Sequence, residues 1–225
     1  MPTEGMKAVL TGEILKTSKM PIQVRKSFPE ILSKAMETCE LPSVHLSTEL
    51  LGMQFYHEGR FQTVLDDPAA GLPAALHLIA WLGRQEPRLS ARVAVGLGPV
   101  AFLEGKVRLF DNVSRRSFRG GGKAFLISQR LLSVMRTGDR RIGARTPWVQ
   151  VNDELEVACL FLDYHIKRWS DDQADSILAL LRGETQAETA QAQGVSQSAV
   201  AQRFRRASGR AVRALVRRYE ALLKY

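Results

Sequence analysis

The chain has 225 residues, 45% of them apolar and 24% charged, the balance of an ordinary globular protein with enough length to bury a real core. Lys and Arg number 32 against 23 Asp and Glu, and the resulting net charge of +9 suits a polyanionic partner such as nucleic acid or an anionic membrane surface. No run approaches the ~18 apolar residues of a membrane span, and the polar start Met1 to Gly5 is unlike a signal peptide. Cys39 and Cys159 sit among apolar neighbours without a CxxC pair, so we expect buried thiols and a cytoplasmic protein.

In chain order, Ala8 to Leu15 reads as a buried strand ending in a turn. Ser27 to Glu40 has helical spacing, with Phe28, Ile31, Leu32, Ala35 and Met36 on one side. Gly52 to Asp66 predicts two strands with a hairpin at Glu58-Gly59, and Ala69 to Arg84 an apolar helix. Leu89 to Leu103 predicts a strand pair around Gly96-Leu97-Gly98-Pro99. Gly122 to Met135 is a helix, and Trp148 to Leu162 reads as one or two strands with an acidic turn at Asn152-Asp153-Glu154. Strand, helix, hairpin, helix, strand is the ferredoxin-like α+β order, assigned to residues 1–166.

Charge is uneven. From Ser196 onward there are eight basic residues and one acid, Glu220, so the chain divides at about Trp169-Ser170, with a second, all-α unit over 170–225. Ser170-x-x-Gln173 and Thr185-x-x-Glu188 are capping boxes that open two helices. Gly183 ends the first helix and Gly194 the second, and Ser196 caps a third. On that third helix Val200, Phe204 and Ala207 share a face, and Gln197, Ser198, Gln202, Arg205 and Arg206 fall elsewhere. Two short helices around a Gly turn make a DNA-binding helix-turn-helix, whose second helix reads base edges in the major groove. Gln197, Ser198 and Gln202 would read bases, and Ser196, Arg203, Arg205 and Arg206 complete the expected DNA face. A plain helical bundle with a solvated basic face is the bland alternative. A last helix from about Gly209 carries an apolar stripe, Val212, Leu215, Val216, Tyr219, Leu222 and Leu223, expected in part to cover the core and in part to pair with a second copy.

Thr189-Ala190, Gly194-Val195-Ser196, Val200 and Arg203-Phe204-x-Arg206-Ala207 resemble the promoter-reading region of bacterial sigma factors and LuxR-type modules over about 40 residues, with Thr189 where an aliphatic residue is usual. Ala8 to Ile14 resembles the first strand of SatD-type proteins and, more distantly, of class III nucleotidyl cyclases. Val95 to Val100 resembles the strand–Gly–strand element of that cyclase fold, and Gly122 to Leu132 resembles the helix that follows in both families. The resemblance implies a cyclase-palm-like N-terminal domain. In such cyclases two Asp carboxylates hold metal ions that orient a triphosphate. Here the first falls at Glu13, and the second is lost in the hairpin, where Gly-Asp has become Gly59-Arg60 and Glu58 is a doubtful substitute. Arg130 matches a cyclase arginine, but Leu126 stands where an Asn is expected.

We therefore expect no enzyme, no cofactor and no metal site, since the four histidines are scattered. The N-terminal domain would sense or dimerise. Glu13, Arg60, Lys123 and Arg130, with the basic loop from Arg115, would form a site for a phosphorylated small-molecule effector. Arg140-Arg141 reads as a loop face. The expectation is a homodimeric, double-stranded-DNA-binding transcriptional regulator with no membrane partner. The alternatives are a divergent nucleotidyl cyclase or nucleotide-binding enzyme with an accessory DNA-binding tail, and a module whose last helices bind protein.

Overall fold

The computed structural model describes residues 5–39, 41, 53–56, 59–103 and 119–223. Strand β1 (Met6–Ile14) is followed by helix α1 (Ile22–Glu37), strands β2 (Gln54–Tyr56) and β3 (Arg60–Leu65), helix α2 (Gly71–Gly83) and strand β4 (Ala91–Leu103). Their sheet order, β2-β3-β1-β4 with antiparallel neighbours, agrees with the ferredoxin-like α+β expectation. Strand β5 (Arg119–Gly122) pairs with the end of β4, helix α3 (Lys123–Thr137) follows, and strand β6 (Ile142–Arg145) lies parallel to β4. Helices α4 (Val149–Ile166), α5 (Asp171–Arg182), α6 (Gln186–Gln193), α7 (Gln197–Arg206) and α8 (Gly209–Leu223) complete the chain.

Alternation along the strands splits the core into two layers. Ala8, Leu10 and Ile14 of β1 face one side with Phe61 and Leu65 of β3, against Phe28 and Leu32 of α1 and the wholly buried face of α2. Val9 and Val64 face the other side, against Ala124 and Phe125 of α3. The first layer continues without a break past residue 170: Ala174, Ile177 and Leu178 of α5 and Val212, Tyr219 and Leu223 of α8 belong to it. Tyr219 is fully buried, and its hydroxyl donates to the Pro68 carbonyl at 2.8 Å. A Cβ on Gly71 would stand 2.8 Å from that hydroxyl and 2.7 Å from Val95, so only glycine lets α2 start against this ring. The apolar stripe of α8 is thus turned inward at Val212, Tyr219 and Leu223, with Leu215, Val216 and Leu222 partly buried against the same core.

Several expected elements differ. Trp148 to Leu162 forms α4 rather than strands, because Val151, Leu155, Cys159, Leu162 and Ile166 recur at helical spacing and are all buried. The acids Asp153 and Glu154 lie inside its first half rather than at a hairpin. The predicted strand pair at 89–103 is one strand of 13 residues. Its Gly96 serves a close crossing instead of a turn: a Cβ there would lie 2.4 Å from the Ala124 carbonyl oxygen and 2.5 Å from the Ser128 nitrogen of α3. Helix α1 starts at Ile22, before Ser27. Arg140 is buried and pairs with Glu156 rather than facing solvent. Glu58 and the loop residues Arg115 to Phe118 lie outside the described residues. No helix among the described residues is long and apolar enough to cross a membrane.

Both cysteines are buried free thiols, pushed by burial up to about 12. His77 of α2 is 1% exposed, and its Nε2 donates to the Ala35 carbonyl of α1 at 2.8 Å. Burial lowers its pKa from 6.5 to about 4, with the Arg182 charge adding to the effect against the opposing hydrogen bond. The unfolded chain therefore takes up a proton near pH 6.5 that the fold refuses until about pH 4. Stability is full above pH 6.5 and should fall by about 3 kcal/mol as pH drops through this window. Urea unfolding across that range, set beside a non-titrating His77→Gln variant, should show the gap between the two proteins changing with pH. A constant gap would refute the assignment.

Candidate functional site

Cross-strand register places Glu13 of β1 between two arginines, Arg60 on β3 and Arg92 on β4. Opposite charges at directly paired positions attract across a sheet. Arg92, with its side chain 7% exposed, donates from Nη1 to Glu13 Oε1 at 2.6 Å and from Nε to the Arg140 carbonyl at 2.6 Å. Arg136, in the last turn of α3, reaches down from the covering helix and forks onto the same carboxylate, with Nε 3.0 Å from Oε2 and Nη2 also bonded to it. Arg60 stands 4.0 Å away. Burial by itself would raise the Glu13 carboxyl, but the hydrogen bonds and charges of Arg136 and Arg92 outweigh it and hold the group below the usual carboxylate range.

Beside this cluster a polar chain crosses the α3 face of the sheet. Tyr56 donates to Gln62, Gln62 donates to Thr11 at 2.8 Å, and the Thr11 and Ser128 hydroxyls share a 2.7 Å bond. The cleft above it, of about 310 Å³, is lined by Arg60, Arg136, Gln62, Gln129 and Ser133 among others. Its lining includes the guanidiniums of Arg60 and Arg136 and the amides of Gln62 and Gln129, groups that can donate to an anion. A cation there would meet the positive charges of these guanidiniums. Among the described residues no group of three His, Cys, Asp or Glu side chains is placed to hold a metal.

The expected effector set does not assemble as drawn. Glu13 and Arg60 meet, but Arg130 and Lys123 are exposed on α3 away from that cleft, and Leu126 is 54% exposed on the same outer side. The arginine that turns toward the sheet is Arg136, not Arg130, because Leu132 and Arg136 share the helix face above β1, one turn apart. Sequence reasoning missed Arg92 and Arg136. Their signal was the strand register and the phase of α3, neither of which a short motif carries.

At the C-terminal end, local chemistry sets the geometry. The Ser170–Gln173 and Thr185–Glu188 capping boxes are both formed, Ser196 accepts from the Ala199 amide, and Gly183 and Gly194 take the left-handed conformation at φ 81° and 65°. Helices α6 and α7 are joined by the three residues Gly194, Val195 and Ser196. Thr189 is buried without penalty, since its hydroxyl donates to the Thr185 carbonyl at 2.9 Å. On α7 Val200 is buried, whereas Ser196, Gln197, Ser198, Gln202, Arg205 and Arg206 are exposed. Arg203 is different: it is half-buried, bonded to Gln193 at 3.0 Å and paired with Asp172 at 3.3 Å, so it ties α7 to α6 and α5.

No family model matches the chain, and no curated protein is similar to it. Among solved structures it is similar to a bacterial light-regulated adenylyl cyclase, at 12% identity and a TM-score of 0.41 over 62% of this chain and 74% of that one. A second structure of a bacterial light-regulated adenylyl cyclase is likewise 12% identical, with a TM-score of 0.43, and is covered over 42% of its length. At such identities and scores the likeness transfers no activity to this chain.

The cluster makes a stability claim. Glu13→Gln strands the buried Arg92 guanidinium and should cost roughly 3 kcal/mol in urea unfolding. Arg136→Ala removes a partner whose side chain is 38% exposed, and should cost about 1 kcal/mol or less. Equal losses would show that Arg92 is not the dependent member.

Proposed function

We propose that this chain is a sequence-specific double-stranded DNA-binding transcriptional regulator whose N-terminal region does not catalyse. The supporting observation is the outward face of α7, where Gln197, Ser198 and Gln202 lead and Arg205 and Arg206 follow, all exposed, on a helix set by a three-residue turn after α6. Such a helix suits the major groove, its leading amides reading base edges and its arginines meeting phosphates. Arg203, spent on Asp172 and Gln193, leaves that set and becomes a residue that orients the helix.

The non-catalytic half of the proposal rests on Glu13. Two-metal phosphoryl chemistry needs opposed carboxylates holding cations roughly 3.5–4 Å apart. The acid offered here is engaged by Arg92 and Arg136, with Arg60 on its other flank. The cleft lined by Arg60 and Arg136 is where a phosphorylated effector would bind.

Two experiments check this. Arg205→Ala with Arg206→Ala should weaken binding to all duplexes alike and flatten the log–log salt dependence by about two. Gln202→Ala should instead relax selectivity at one base position at a cost of about 1–3 kcal/mol. An unchanged salt slope in the double variant would refute the DNA face. Incubation with ATP or GTP and Mg²⁺ or Mn²⁺ should give neither cyclic nucleotide nor pyrophosphate. Product that disappears in Glu13→Ala would establish the alternative, a divergent nucleotidyl cyclase.

A further inference from the structure

Helix α4 is apolar on both sides. Its inner face is buried in the core, yet Val157, Leu160, Phe161 and Tyr164 on its outer face are 56%, 49%, 72% and 57% exposed. These four positions recur at helical spacing and form one stripe. The stripe has an acid at one end, exposed Asp153, and a base at the other, Arg168. Arg168 is fixed there, its guanidinium 3.6 Å over the Tyr164 ring and its Nη1 bonded to the Tyr164 carbonyl at 2.8 Å. A contiguous exposed apolar face of this kind marks an interaction site.

We propose that this face pairs with the same face of a second copy of the chain, antiparallel, across a two-fold axis passing between Leu160 and Phe161. The sequence spacing is self-complementary about that point. Val157 falls against the partner's Tyr164, Leu160 against the partner's Phe161, and Asp153 against the partner's Arg168. Every contact is then made twice, as an isologous interface requires. A parallel pairing would set Asp153 on the partner's Asp153 and Arg168 on the partner's Arg168, so charge selects the antiparallel arrangement. Asp153 and Arg168 lie roughly 22 Å apart along the helix direction. A crossing angle of about 20°, the usual left-handed packing class, keeps both ends in reach. The apolar middle supplies the attraction and the two charge pairs set the register. This surface, rather than the inward-turned stripe of α8, is what gives the chain a two-fold partner.

The test uses the whole 225-residue chain without DNA, so its outcome is independent of the reading of α7. Sedimentation velocity at tens of micromolar should show a reversible dimer. Phe161→Glu should weaken it about tenfold or more, as expected for a central aromatic anchor. Asp153→Arg and Arg168→Glu should each weaken it, since each places like charges at both ends. Mixing these two single variants in equal amounts should restore a dimer, because the mixed pair has opposite charges at both ends. Circular dichroism and urea unfolding confirm that each variant is folded. A wild-type monomer at these concentrations, with the stripe covered by some other partner, overturns the proposal. So does a wild-type dimer that survives Phe161→Glu in a folded protein, or a mixture no more dimeric than its components.

Discussion

Burying Tyr219 completely while keeping its hydroxyl hydrogen-bonded requires a carbonyl at one point in the interior, and the short 3-10 turn Pro68–Ala70 supplies it through Pro68. An unpartnered hydroxyl in that position would carry a desolvation penalty of roughly 1–3 kcal/mol. The bond forces α8 to lie across the start of α2, which in turn demands a glycine at 71. It also brings Arg218, the preceding residue, to the Glu154 carboxylate of α4 at 2.6 Å. Trp169 adds a second tie of the same kind, its indole N–H donating to the Ala207 carbonyl at the end of α7. Helices α5 and α8 are therefore seated on the sheet's α2 layer, and α7 packs in turn on α5, α6 and α8.

The opposite layer is organised by charge. A carboxylate in the sheet interior has to be neutralised, and a bound cation or basic side chains can do it. This chain uses arginines from both flanking strands and from the covering helix. The choice has a chemical consequence. Guanidinium donors saturate the acid's lone pairs in fixed directions, and the positions a metal would take are filled by N–H groups.

Legibility followed the range of the interactions. The caps and turns around α5, α6 and α7 were readable because each is settled within four residues, as at Thr185 with Glu188 or Gly194 after Gln193. The succession strand, helix, hairpin, helix, strand was readable because β1, the hairpin and β4 each keep clear apolar faces. Helix α4 was misread because Val157, Leu160, Phe161 and Tyr164 fill its outer face with apolar residues, which blurs the one-sided pattern that identifies a surface helix. The arginine cluster was illegible for another reason: Arg92 and Arg136 lie 79 and 123 residues from Glu13, so only register could join them. Arg203 was placed on the expected DNA face as part of the Arg203-Phe204-x-Arg206 motif, although Asp172 and Gln193 draw it inward.

That inward turn of Arg203 bears on how the C-terminal helices relate to the rest. The N-terminal turn of α5 holds Asp171 and Asp172, with Asp175 one turn on, and each has a different partner. Asp171 takes Arg88 and Asp175 takes Arg84, both just after α2, while Asp172 takes Arg203 of α7. Exposed ion pairs contribute little stability individually, so their value here lies in direction. Two point α5 toward the α2 layer and one points α7 toward α5. Together with the Gln193 bond they fix how far α7 is rotated about its own axis, and rotation decides which side chains face outward. A surface helix meets any partner better with that angle already set, because ordering it on contact would be subtracted from the affinity. Arg203, one residue of the expected DNA face, is the one that sets the angle, while Arg205 and Arg206 lie on the solvent face.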